Sequence, residues 1–378
     1  LAASGWNPAR VGFALTFGGL VTVAMQTPAG AVVDAARRKR LLVAINLCVL
    51  VVGALLLLLP LRTVTVYAAQ FLIGSSAPFL APSVAAMTLG IVGAHAFDKQ
   101  FGRNQAFNAG GNVFTALLVA CISYRFGYHA IFAVAIAMAI PTTLSLAAID
   151  GKQISYARAR GAARDDETPG TEGILSLGRD HVLLFFLLCS LLFHLANAAM
   201  LPQLGEMLAR GRPTEAAPFM SACIIVTQLV ITVSAAWIGH RAQISGRKQL
   251  LLLGFGVLPI RGVLYTLTTA TSALIAIQIL DGVANAIFGI VSILVIKDRT
   301  EGTGRFNLAS GALATMVGIG AALSNTLGGL LIQFLGYRAS FLGLAAVALV
   351  AVVLLWFTIP ETLPACSTQS NQMQTAEK

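Results

Sequence analysis

Charge is scarce in this chain. Of its 378 residues, 11% are Asp, Glu, Lys or Arg, where soluble domains carry about 25%. Hydrophobic residues make up 57%, and the mean hydropathy is +0.82. No soluble fold of this length hides so much apolar surface. Cysteine is equally sparse. Cys48, Cys121, Cys189 and Cys223 lie inside apolar segments and Cys366 in the polar tail, with no CxxC spacing to hold a metal or a redox pair. Enzyme signatures are missing too. There is no HExxH, no GxSxG, no Walker loop and no GxGxxG after a strand. The expectation is a protein that is not an enzyme, with no cofactor and no metal. ATP-driven pumping would need a second protein to supply the nucleotide site. The chain opens on a polar turn, Leu1 to Pro8, rather than on a basic n-region.

What is present is a succession of apolar runs, each about 20 residues long, the length that crosses a bilayer as a helix. The pattern predicts an all-α polytopic membrane protein with eleven transmembrane helices, over 10–33, 41–60, 66–93, 104–123, 129–149, 182–204, 218–238, 249–268, 273–296, 307–333 and 340–359. Helices are required because lipid cannot satisfy an open strand edge. The net charge of +10 does not point to nucleic acid, because the basic residues sit in short loops between apolar runs. Of the 25 Lys and Arg, eighteen fall on the side that holds residues 34–40 and six on the other, with Arg261 inside a helix. The positive-inside rule makes the richer side cytoplasmic. The chain is therefore expected in the cytoplasmic (inner) membrane, with residue 1 outside and the C-terminal tail inside.

A repeat organises these helices. The stretch Gly30 to Arg40, GAVVDAARRKR, has a partner in Gly239 to Lys248, GHRAQISGRK. Gly30 and Gly239, Arg38 and Arg247, and Lys39 and Lys248 all pair at an offset of 209. Gly127-Tyr128 and Phe132 match Gly336-Tyr337 and Phe341 at the same offset, and Gln70 and Gly74 match Gln278 and Gly282 at 208. Three blocks in order indicate two similar halves. The expected domains are an N-terminal bundle over 1–149, a cytoplasmic linker over 150–181 that opens with a short surface helix, a six-helix bundle over 182–359 and a cytoplasmic tail over 360–378. If the halves correspond, the five-helix half lacks its first helix, which would precede Leu1; the alternative is a true eleven-helix protein.

Gly30-x-x-x-Asp34-x-x-Arg37-Arg38-Lys39 resembles the signature loop of the major facilitator superfamily, whose pattern is roughly G-x-x-x-D-x-x-G-R-K/R. Arg37 stands where the second glycine is expected. The second copy keeps Gly246-Arg247-Lys248 but carries Gln243 in place of the acid, and Pro360-Glu361-Thr362 resembles the P-E-T that often closes the last helix of the family. The resemblance implies two six-helix bundles, twelve helices in all, around a central substrate cavity with alternating access. Without the family, Asp34 can accept bonds from the hinge cations or from a neighbouring helix N-terminus, whose dipole favours an acid. That reading makes Gly30, Asp34, Arg38, Lys39, Arg103, Gly246, Arg247 and Lys248 a conformational latch. Asp98/Arg103 and Asp298/Arg305 are like-placed acid–base pairs expected to join it. The alternative is a purely topological basic loop. The G-P-x-x-G-G pattern of the family's drug–proton antiporters is absent, which weakens that subclass.

Among the acids only Asp281 lies well inside a helix, and an ionisable side chain at that depth is costly. Arg261 is the one base inside a helix. At 1.5 Å per residue both fall about 18 Å from the inner face of a core about 30 Å thick. They lie on consecutive antiparallel helices, so an ion pair is predicted. Either Asp281 titrates and couples a proton to transport, or the pair neutralises itself and fixes helix register. Gln278, Asp281 and Asn285 share one helix face. His194 and Asn197 form a second polar pair. The resemblance places both sets against the cavity. Asn108, Asn112 and Asn325 are weaker candidates. The expected function is secondary active transport of a small solute by a monomer in the lipid bilayer, coupled to protons, with efflux favoured over uptake. The alternatives are a uniporter of the same fold and a non-transporting membrane sensor or membrane-embedded enzyme.

Overall fold

The computed structural model describes residues 8–60, 62–126, 129–161, 179–211 and 213–362. They form α1 (Pro8–Ala35), α2 (Lys39–Leu56), α3 (Thr63–Phe126), α4 (His129–Ala148), the short α5 (Tyr156–Arg160), α6 (His181–Asn197), α7 (Met200–Gly211), α8 (Pro213–Ser245), α9 (Arg247–Leu267), α10 (Thr271–Thr300) and α11 (Phe306–Thr358). Among the described residues, seven helices are long and apolar enough to cross a membrane. Two of these are far too long for one crossing. The apolar stretches Thr63–Thr115 and Phe306–Thr358 have 53 residues each, about 80 Å at 1.5 Å per residue against a core of about 30 Å. Each is broken once by a glycine with positive φ, Gly93 (φ 73°) in α3 and Gly336 (φ 83°) in α11. No residue other than glycine has positive φ among those described, because a side chain would clash there.

These breaks correct the expected loops. The polar stretch from His95 to Arg103 reads as a connection, yet it is helical from Ala94 onward. Its charge is tolerated on a helix because Asp98 is paired with two cations, described below. Residues 334–339 are likewise helical around the one-residue break. The opening repeat is also mostly helix. α1 runs to Ala35 and α8 to Ser245, so the turns shrink to Ala36–Arg38 and Gly246. The two turns differ. Gly246 adopts φ 86°, whereas Arg37, at the matching position, has negative φ. The run 182–204, expected as one helix, ends at Asn197 and restarts at Met200. Pro202 explains the break, since it lacks an N–H and crowds the carbonyl of Ala198 four residues back. The Ala199 N–H is satisfied instead by Ser324 Oγ at 2.9 Å. The short helix α5 follows α4, capped at its start by the Ser155 hydroxyl and at its end by Gly161 with φ 74°; most of the stretch expected as a linker, 162–178, lies outside the described residues.

The described chain divides into two compact units. One gathers Leu1–Ala94, Phe114–Gly173 and Thr300–Thr315, the other His95–Val113, Ile174–Arg299 and Met316–Lys378. Each contains a very close helix crossing that matches one in the other, and these two crossings are built from residues 209 apart. In the first, Gly30 of α1 faces the backbone carbonyl of Asn307, and Gly311 of α11 faces that of Gln26. In the second, a Cβ on Gly239 of α8 would lie 2.7 Å from the carbonyl oxygen of Asp98, and one on Gly102 of α3 would lie 2.8 Å from that of Ala235. Asp98 matches Asn307, Gly102 matches Gly311 and Ala235 matches Gln26 at the same offset. The sequence repeat is thus a repeat of contacts. Only glycine permits the approach, which predicts that Gly239→Val destabilises by about 1–3 kcal/mol through overpacking. Gly329→Ala, where open space surrounds the added carbon, leaves the thermal unfolding midpoint unchanged.

Candidate functional site

The first crossing carries the acid of the hinge. Asp34 is buried at the last turn of α1. Its Oδ1 accepts the Asn307 backbone N–H at 3.1 Å and the Asn307 side-chain amide at 2.6 Å, and its Oδ2 accepts the Leu308 N–H at 2.8 Å. A carboxylate on the first N–H groups of a helix satisfies donors that have no partner inside it and complements its dipole. Of the two partners open to Asp34, cations or a helix start, its hydrogen bonds go to the helix start. Lys39 Nζ donates instead to the carbonyl of Val33, and Arg38 is exposed at the N-cap of α2. The Asn307 amide also donates to the carbonyl of Ala159 at 3.2 Å, which ties the linker helix to the same joint.

The second crossing carries a buried charge cluster. Arg247 donates to Asp98 Oδ2 at 2.5 Å and to Asp298 Oδ2 at 2.9 Å. Lys297 pairs with Asp98 Oδ1 at 2.5 Å and with Asp298 Oδ1 at 3.4 Å. Two acids and two bases thus balance in a place where isolated charges could not stay. This corrects the expected pairing within each loop. Asp98 turns to Arg247 and Lys297 rather than to Arg103, which is exposed. Asp298 takes the same two cations and not Arg305, whose backbone N–H bonds Thr303. Sequence spacing favoured local partners, while the structure pairs Asp98 with Lys297, 199 positions away.

Glu361 completes this cluster, in a role that sequence reading missed. Its carboxylate accepts the N–H groups of Arg247 at 2.7 Å and Lys248 at 3.1 Å, capping α9 from the far end of the chain. Gly246, the N-cap of α9, offers no side-chain bond, and a Cβ there would strike Glu361. Lys248 Nζ donates to the carbonyl of Trp356 at 2.7 Å and stacks over its ring. The P-E-T ending was the available signal.

Arg261 of α9 and Asp281 of α10 form the predicted ion pair, with Arg261 1% exposed. The carboxylate is otherwise filled as well. Asn285 donates to Oδ1 at 2.9 Å and Thr227 of α8 to Oδ2 at 3.2 Å. Gln278 is fully buried and donates to the hydroxyl of Tyr265 at 2.8 Å. The α10 stripe therefore binds α8 and α9, a partner set that the cavity assignment did not anticipate. His194 Nδ1 lies 3.2 Å from the carbonyl of Ser190, one turn back, and its ring meets Phe193 and Phe288. Asn197 is buried at the end of α6. Asn108, Asn112 and Asn325 are exposed, and Asn325 donates to Ala321 of its own helix at 3.2 Å. No group of metal-ligating side chains occurs among the described residues. Removing one member of a buried pair costs about 3–5 kcal/mol, whereas replacing both with apolar residues is often neutral. Arg261→Met and Asp281→Leu should each lower the unfolding midpoint strongly, and the double variant should recover most of the loss.

Relatives point the same way as the geometry. A sequence profile of the Major Facilitator Superfamily matches residues 1–260 and 227–376. Uncharacterized MFS-type transporters of two strains of Mycobacterium tuberculosis are 38% identical over 360 residues, which is 95% of this chain and 86% of theirs. Among solved structures, the fold is similar to the MFS transporter FucP in its outward conformation (12% identity, TM-score 0.71, 94% of this chain and 91% of that one). It is also similar to the proton:xylose symporter XylE (15% identity, TM-score 0.74, 93% and 86%). The chain belongs to the Major Facilitator Superfamily and is a multi-pass membrane transporter.

Proposed function

We propose that the chain is a secondary active transporter that carries a small solute by alternating access, with a bundle over 1–149 rocking against one over 182–359. The observation that carries this reading is the duplicated joint. The Gly30–Asn307 and Gly239–Asp98 crossings are the same contact made twice, each tying a helix of one half of the chain to a helix of the other. Both are closed by hydrogen bonds to charged groups rather than by apolar packing alone. Such bonds are strong when made and can be replaced by water when broken. They suit a latch that forms in one state and opens in the next.

Proton coupling through Asp281 belongs to the same proposal. Its side chain keeps 10% of its surface exposed while its partner Arg261 keeps 1%, and an ionisable group inside a membrane helix is the kind of residue that serves proton relays. FucP, a fucose:proton symporter, and XylE, a proton:xylose symporter, give the precedent within the fold. The two halves of the proposal separate experimentally. In proteoliposomes containing the full chain, a pH gradient should drive solute accumulation. Asp281→Asn should abolish that accumulation while leaving solute exchange without a gradient in place, and Asp281→Glu should restore part of it. Undiminished accumulation by Asp281→Asn would remove the acid from the mechanism. The sign of the gradient that drives movement reads out efflux or uptake.

A further inference from the structure

Asp281 and Arg261 are the only Asp, Glu, Lys or Arg residues that lie well inside the apolar spans, and they neutralise each other. Arg261 is 1% exposed. The carboxylate of Asp281 also receives the Asn285 amide and the Thr227 hydroxyl. His194 is held against the carbonyl of Ser190 and the rings of Phe193 and Phe288. A charged solute that leaves water at this depth needs an opposite charge to meet it. Among the described residues, the spans hold no such charge that is uncommitted.

Neutral polar groups are present instead, and they are open. Beyond its break, α3 carries Asn104, Asn108 and Asn112, four residues apart and so on one face. They lie 6, 10 and 14 residues past Asp98, about 9–21 Å deeper at 1.5 Å per residue. The other side of this stretch packs on α8, with Gly102 against Gly239 and Gly110 toward Thr232. Asn108 and Asn112 are exposed and make no side-chain hydrogen bond among the described residues. Asn104 accepts from Gln100 Nε2 at 3.0 Å, one turn back on the same face. Gly111 leaves open space within the stripe, and Phe107, 83% exposed, borders it. On α11, Asn325, Gly329 and Gln333 repeat the arrangement, all exposed and again four apart. Space is open around Gly329 too. Neither stretch, 104–115 or 316–333, holds a charged residue. An amide turned to lipid would lose its hydrogen bonds, so these faces turn to water or to a solute.

We infer, on the transport reading proposed above, that the cargo is an uncharged, hydroxyl-rich solute bound by the amide faces of α3 and α11. An amide offers a donor and an acceptor together, and a hydroxyl answers both. The exposed ring of Phe107 gives the C–H face of such a solute an apolar surface. The full chain, purified in an uncharged detergent, is tested by thermal unfolding against three matched series at millimolar concentration. These are pentoses, hexoses and their alditols; the corresponding aldonate anions; and the corresponding amino sugars. At least one neutral compound should raise the unfolding midpoint. Its anionic and cationic counterparts should bind about tenfold more weakly or not at all, because their charge is left unmet. Asn108→Leu, Asn112→Leu and Asn325→Leu should each weaken binding of the neutral compound about tenfold, the loss of one or two hydrogen bonds, with the ligand-free midpoint unchanged. Counterflow of that compound in proteoliposomes separates the cargo from the transport reading. Binding without movement fails the transport reading and keeps the ligand class. Movement of charged solutes alone keeps transport and overturns the class. The class is also overturned if no neutral compound binds, if a charged counterpart binds as well as the neutral one, or if the three Asn variants bind as the parent does.

Discussion

The bond between the Asp34 carboxylate and the first turn of α11 is the constraint on which the rest of this architecture leans. It requires Gly30, because α1 and α11 can approach only where no side chain intervenes. It requires that α11 begin at Phe306, so that the N–H groups of Asn307 and Leu308 remain without partners in their own helix and can be donated to the acid. It draws in the linker helix through the Asn307 amide and Ala159. An uncompensated acid at this depth would be costly. The two helix ends are therefore bound together by what each would otherwise leave unsatisfied.

The second copy solves the same problem with different chemistry. Where Asp34 stands in the first, Gln243 stands in the second, and its amide donates to the carbonyl of His95 at 3.0 Å. The strong contacts move to Arg247, which reaches two acids at once, and to Glu361, which caps α9. One joint is held by an acid on a helix start, the other by a guanidinium between carboxylates. Two joints of equal geometry and unequal chemistry need not open at the same cost, and a transporter with unequal joints can rest in one state and pass through the other.

Much of the fold was legible in the sequence because the bilayer imposes few solutions. Apolar runs of spanning length, a basic side and a repeat at 209 residues are coarse signals that survive drift. The ion pair of Arg261 and Asp281 was legible for a similar reason, since isolated charges at matched depth on adjacent helices have few other partners. The charge cluster was not. Asp98 and Lys297 are 199 residues apart, and local spacing offered Arg103 as an equally reasonable partner for the acid. The helical course through Ala94–Arg103 was hidden by the same charges, because polar residues imply a loop until their partners are known. Glu361 was seen as part of a terminal motif, but nothing in its neighbourhood names the start of α9 as its target.

The central claim is that the joint between α1 and α11 opens during transport. Thr27 and Thr315 bridge it directly, with their hydroxyls 2.8 Å apart. The most direct test places a reversible lock there. With the five native cysteines replaced, Thr27→Cys/Thr315→Cys is reconstituted and oxidised, and solute movement is measured before and after reduction. The account predicts that the disulfide stops transport and that dithiothreitol restores it. Full transport by the oxidised, fully cross-linked protein would contradict it.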